Sequence, residues 1–151
     1  MVPSVDVRGP WSRGRVHEHL DGFAGPVRLS FLDEDGHPRV VSVWFTRVDD
    51  SLRCATQKDS MLARRVGRDG RVGFEVAGDQ PPYRGVRGWG TATIEPEDGP
   101  VVLEALLDRF VAEGDPLAGW LRSRSDTEVA LTIAPETWVT WDYSGRMGES
   151  D

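Results

Sequence analysis

The run Cys54-Ala55-Thr56-Gln57-Lys58-Asp59-Ser60, with Arg64 and Arg65 just behind it, places two hydroxyls, an ammonium and two guanidinium groups on a short stretch of chain. Thr56 and Ser60 can donate to an anion and Lys58 can neutralise it. The residues after Ser60 read as a helix whose first amides and positive dipole end attract negative charge. Converging, these groups could hold a phosphate. The same residue types also serve as ordinary helix caps beneath a basic, solvated face, so spacing alone leaves both readings open. Lys58 is the only lysine in a chain whose other cations are arginines, which makes its retention here worth notice.

Other catalytic patterns are missing from the sequence. There is no HExxH metal motif and no GxSxG elbow. His17 and His19 stand two apart on a helix, so they do not share a face and make a poor metal pair. They read as surface histidines, and His37 as a solvated turn residue. Cys54 is the only cysteine, which rules out an internal disulfide. Its place in a strand-like run suits a buried, inert thiol.

These groups need a scaffold, and 151 residues suit one domain. Residues 10–20 read as a short helix, a lid or an edge, weakened by Gly14. Val27, Leu29 and Phe31 alternate, the turn Asp33-Glu34-Asp35-Gly36 follows, and Val41, Val43 and Phe45 alternate again. With the strand 52–56 this predicts three antiparallel strands in succession. Met61, Leu62, Arg65 and Val66 give a two-turn helix. Strands 72–76 and 83–94 come next, the second carrying Gly85, Gly88 and Gly90, which signal bulges, a barrel corner or close approach. Leu103, Leu106, Leu107, Phe110 and Val111 make an amphipathic helix over 99–113, expected to plug one end of a barrel. Strands at 129–133 and 137–143 close the chain, and 1–9 and 145–151 are expected to be flexible. The net charge of −7 sets the protein against nucleic acid as its main partner. No leader or long apolar run points to a membrane, so a cytoplasmic protein is expected.

Three stretches, GHPRVVSVWF, LRCATQKDSMLARRVGRDGRVGFEV and PPYRGVRGWGTATI, resemble in order and spacing the flavin-binding split-barrel oxidoreductases related to pyridoxamine 5'-phosphate oxidase. The superfamily also includes actinobacterial enzymes that use deazaflavin. The resemblance runs from about residue 25 to 143. It implies a six- to seven-stranded antiparallel split β-barrel with short flanking helices, working as a homodimer with each site shared between protomers. It implies a cofactor ring flanked by Arg39, Val41, Val43 and Trp44, with Arg84 at a polar position near the ring. The phosphate would meet Thr56, Ser60 and the amides that follow Ser60, while Lys58, Arg64 or Arg65 could supply the charge that this clamp lacks. Two departures stand out. Met61 and Leu62 occupy positions where many relatives carry a basic pair, and the arginine and histidine tail used in vitamin B6 oxidation is not matched.

The resulting expectation is an FMN-dependent oxidoreductase acting on a small-molecule substrate that the sequence does not name. The alternatives are a reductase using the deazaflavin F-420, whose anionic tail could use Arg64, Arg65, Arg68 and Arg87, and a non-catalytic flavin- or haem-binding protein.

Overall fold

The computed structural model describes residues 4–145. Strands β1 (Asp6–Arg8), β2 (Val27–Leu32), β3 (Pro38–Val43), β4 (Thr46–Val48), β5 (Ser51–Gln57), β6 (Arg71–Ala77), β7 (Arg84–Glu95) and β8 (Glu128–Asp142) are joined through helices α1 (Arg13–Gly22), α2 (Met61–Val66), α3 (Gly99–Phe110) and α4 (Pro116–Arg122). They form one sheet in the order β3-β2-β6-β7-β8-β5-β4, with β1 added in parallel to β8. The period-two residues decide the inner face. Leu29, Phe31, Leu52, Cys54, Phe74, Val86, Leu131 and Ile133 all join one buried cluster, so the sheet curls around a single core.

Three expectations change. The run 39–46 is not one strand: it breaks at Trp44 and Phe45, so β3 pairs with β2 at one end of the sheet while β4 pairs with β5 at the other. The covalent link through Trp44-Phe45 thus spans the two sheet edges, and the three-strand meander becomes a split barrel. With β1 and β4 added, the strand count is eight. Of the opening residues expected to be flexible, Asp6–Arg8 is β1, held where Thr140 Oγ1 donates to Arg8 O at 3.0 Å and accepts from Trp11 N at 3.2 Å. Residues 1–3 and 146–151 lie outside the described residues.

The third change concerns the helices. α3 does not plug the barrel. Its Val102, Leu103, Leu106 and Leu107 form clusters separate from the main core, with Ala55, Ala130 and Trp44. The alternation of β5 and β8 turns Ala55 and Ala130 outward, and two small side chains on an outer face leave a furrow that a helix fills. α1 and the residue before its cap supply the interior cover instead: Val16 and Leu20 of α1, with Trp11, enter the main cluster. Ser12 caps α1 by accepting from Arg15 N at 3.1 Å.

The β7 glycines sit where the expectation placed them. The β7–β8 register shifts between Trp89 and Gly90, and a Cβ on Gly88 or Gly90 would be driven into the carbonyl oxygen of Thr137 or Ala134. At Gly88 and Gly90 the two strands approach too closely for any side chain between them.

Candidate functional site

The corner after β5 is built by its own polar groups. Ser60 Oγ accepts from Ala63 N at 3.0 Å and from Thr56 Oγ1 at 3.0 Å. Ser60 N donates to Gln57 O at 3.0 Å, and Lys58 N to Thr127 O at 2.9 Å. Helix capping is therefore realised, and it consumes the Thr56 proton. It leaves the Ser60 hydroxyl proton unassigned, because an oxygen accepting two hydrogen bonds still carries one donor. Leu62, Ala63 and Val66 anchor α2 in the barrel, while Lys58, Met61 and Arg64 are exposed.

Across from α2 stands the β2–β3 hairpin, and between them runs a groove of about 320 Å³ lined by Asp33, Glu34, Asp35, Arg39, Met61, Arg64 and Arg65. A second groove of about 260 Å³, lined by Glu34, Arg64, Arg65 and Arg68, adjoins it. Arg65 braces the wall, donating to Leu32 O at 3.3 Å and Asp33 O at 3.2 Å. Asp33 Oδ1 accepts the amides of His37 and Asp35 at 2.9 Å, and Oδ2 accepts from Arg39 at 3.3 Å. The His37 amide first, then Arg39, hold its carboxyl below the usual carboxylate range. Asp33 thus neutralises Arg39. Arg64 and Arg68 have no ion pair among the described residues.

The structure gathers Arg39, Met61 and Arg64 in one groove, with Thr56 near the end of β5 and Lys58 and Ser60 on the turn that leads into α2. Val41 and Val43 lie on the inner side of β3, opposite Leu29 and Val27, and pack on the core. Trp44 stacks on Phe110 with ring centroids 5.5 Å apart and planes 7° from parallel. One face of its indole is therefore occupied by protein. Arg84 stands apart: it is opposite Asp142 at the far end of β8, whereas Thr56 is opposite Val129 near its start. The Asp33–Asp35 wall was legible in the sequence only as a turn. That it faces α2 depends on β2 and β3 folding back over the barrel, which no local spacing reports.

A larger cleft of about 580 Å³ beside the β4–β5 turn is lined by Arg13, Asp50, Arg53, Glu95 and Asp98, among others. Its arginines are already paired: Arg13 with Asp50, and Arg53 with Glu95 and Asp98.

This architecture is the pyridoxamine 5'-phosphate oxidase-like split barrel. No family model matches the sequence, and no curated protein matches it; solved structures do. A conserved hypothetical protein of Mycobacterium tuberculosis superposes with a TM-score of 0.77 at 22% identity, over 94% of this chain and 92% of that one. An F420 reductase gives 0.66 at 21% identity, over 80% and 94%. A proposed pyridoxamine 5'-phosphate oxidase from Listeria innocua gives 0.64 at 17% identity, over 87% and 98%. At these identities the similarity establishes the fold.

Proposed function

We propose that this chain is an FMN-dependent oxidoreductase whose cofactor phosphate docks between the Ser60 corner and the α2 groove. The observation that carries this reading is the pairing of two uncommitted groups beside one groove, the Ser60 hydroxyl proton and the exposed Arg64 guanidinium. Lys58 adds charge on the adjoining turn, and Met61 offers an apolar contact in place of the basic residue many relatives carry. FMN would supply the hydride chemistry, and this chain would orient it and limit access of water. Arg84, remote in the protomer, takes no part in this reading.

A second reading is favoured by the adjoining groove. Arg64, Arg65 and Arg68 extend positive charge beyond one phosphate, which suits the longer anionic tail of F-420. Arg87, the fourth arginine considered for that tail, instead stands 5.1 Å over the Trp141 ring. Titrating the purified chain with FMN and with F-420 by fluorescence separates the readings, and Arg64→Glu should weaken the preferred cofactor about tenfold or more. Binding of neither at micromolar concentration would sink both. Binding without turnover under a reductant and a broad acceptor panel would leave a non-catalytic binder.

The same reading includes a homodimer, supported by one transverse row on the outer face. Val40 pairs with Ser30, Ser30 with Gly73, and Gly73 with Trp89. Val40 and Trp89 are 68% and 44% exposed, and the space above Gly73 is open to 3.7 Å. Large residues flanking small ones make a self-complementary surface of the kind a twofold axis requires.

A further inference from the structure

A third cleft, of about 390 Å³, lies between α1 and the β6–β7 loop, away from the α2 corner. That volume falls within the range of small-ligand sites. Its walls include Arg15, Glu18, His19, Phe23, Pro82 and Arg84. Neither Arg15 nor Arg84 has an ion pair among the described residues. This sets them apart from arginines 8, 13, 39, 47, 53, 71 and 122, each held by a carboxylate. The Arg15 guanidinium carbon lies over Trp11, 4.4 Å from the ring centroid. Glu18 in the wall and Asp142, opposite Arg84 across β7 and β8, offset much of this charge without forming an ion pair with either guanidinium.

The aromatic part of the cleft is equally ordered. His19 sits between Trp11 and Phe23, with ring centroids 4.9 Å and 5.5 Å away. Its Nε2 lies 2.8 Å from Val76 O. A carbonyl can only accept, so Nε2 holds the proton and the imidazole is locked in one orientation. Burial first, opposed by the Val76 bond and by Asp142 and assisted by the charges of Arg15 and Arg84, moves the His19 pKa down and favours the neutral ring. Phe23, Pro81 and Pro82 complete an apolar wall. Two unpaired guanidiniums at the rim of an aromatic and proline-lined cleft match a ligand with a flat apolar body and one carboxylate.

We infer that the cleft between α1 and the β6–β7 loop is a binding site for small aromatic carboxylic acids, with Arg15 and Arg84 taking the carboxylate and Phe23, Pro81 and Pro82 the ring. The site does not depend on a bound cofactor.

The test uses benzoate as the probe on the ¹⁵N-labelled full chain, with the neutral amide benzamide as its control. Benzoate should shift the Nε–H signals of Arg15 and Arg84 and the amides of Gly22 and Gly78 along one isotherm. Benzamide should bind about tenfold more weakly, the difference one charge-assisted hydrogen bond makes. Arg84→Gln and, separately, the α1 substitution Arg15→Gln should each weaken benzoate about tenfold, with Arg64→Gln leaving it unchanged. Equal affinity for benzoate and benzamide, shifts centred on Arg39 and Arg64, or no saturable shift at millimolar benzoate would each overturn the inference. Because Arg15 is half-buried on α1 and outside the main core cluster, Arg15→Gln decides the matter even if Arg84→Gln fails to fold.

Discussion

Arg109 donates from α3 to Phe45 O at 2.7 Å and to Leu20 O, Asp21 O and Phe23 O at 2.6, 3.4 and 2.9 Å. It thereby ties the C-terminal end of α1 to the corner where the barrel splits, and burial lowers its pKa. Its removal would orphan the carbonyls of Phe45 and Leu20, both buried residues. Arg109→Met should cost about 3 kcal/mol, read from urea unfolding midpoints. Arg109→Lys should recover less than half, since an ammonium cannot span the fork. Nothing in the spacing of α3 announces this clamp, because its partners come from α1 and β4's approach, far away in sequence. Cys54 is the opposite case. Its place in the 52–56 alternation already implied burial, and burial pushes the thiol up to about 12. It should resist thiol reagents at pH 8 until the protein is unfolded, and a prompt reaction in the native state would contradict its position. The two histidines expected at the surface show the limit of helix-face reasoning: His17 pairs with Asp50 at 2.8 Å and His19 with Val76 O. Both partners lie on other elements.

Elements were legible where a local period ran uninterrupted. The strands β2, β5 and β6 and the helices α2 and α3 lie close to their expected spans, because burial on one face writes a pattern into neighbouring residues. Which element each strand pairs with was not. A change of sheet edge at Trp44 and Phe45 looks, in one dimension, like continued alternation. Glycines separate the two kinds of information. Gly88→Ala must push a Cβ into the Thr137 carbonyl, and backbone on both strands cannot yield cheaply. A loss of about 2–4 kcal/mol is expected by thermal unfolding. Gly14 lies within α1, where an added methyl would meet nothing nearer than Ser12 Oγ at 3.9 Å. Gly14→Ala should therefore stabilise by about 0.5–1 kcal/mol. Opposite signs for one chemical change would confirm that close strand approach, and not glycine content, governs β7.

For the whole molecule, acid is the natural stress. Asp142 closes the barrel's C-terminal end. Ser144 donates to it from Oγ and N, Trp11 Nε1 donates at 3.0 Å, and these contacts, Ser144 foremost, hold its pKa at about 2 against an ordinary 3.8. Hydrogen bonding by Arg47 also lowers Asp21. A carboxylate with a depressed folded-state pKa stabilises the fold fully above its unfolded value and loses that contribution as pH falls through the folded one. The melting temperature should thus be level above about pH 4 and decline toward pH 2. Asp142→Asn should flatten part of that decline while lowering the plateau. The proposed dimer makes a second prediction at this scale: light scattering should give twice the chain mass, and Trp89→Glu should return a folded monomer. No helix among the described residues is long and apolar enough to cross a membrane.

The split at Trp44-Phe45 leaves two strands, β3 and β4, each with one side unpaired by any strand among the described residues. They are unequal. β4 spans three residues, too short to template another chain, whereas β3 offers six, with Val40, Val41 and Val43 among them. Backbone amides and carbonyls aligned along such a margin recruit extended peptide. Misassembly of a weakened variant should therefore begin at residues 38–43, and the proline that opens β3 shields only its first position.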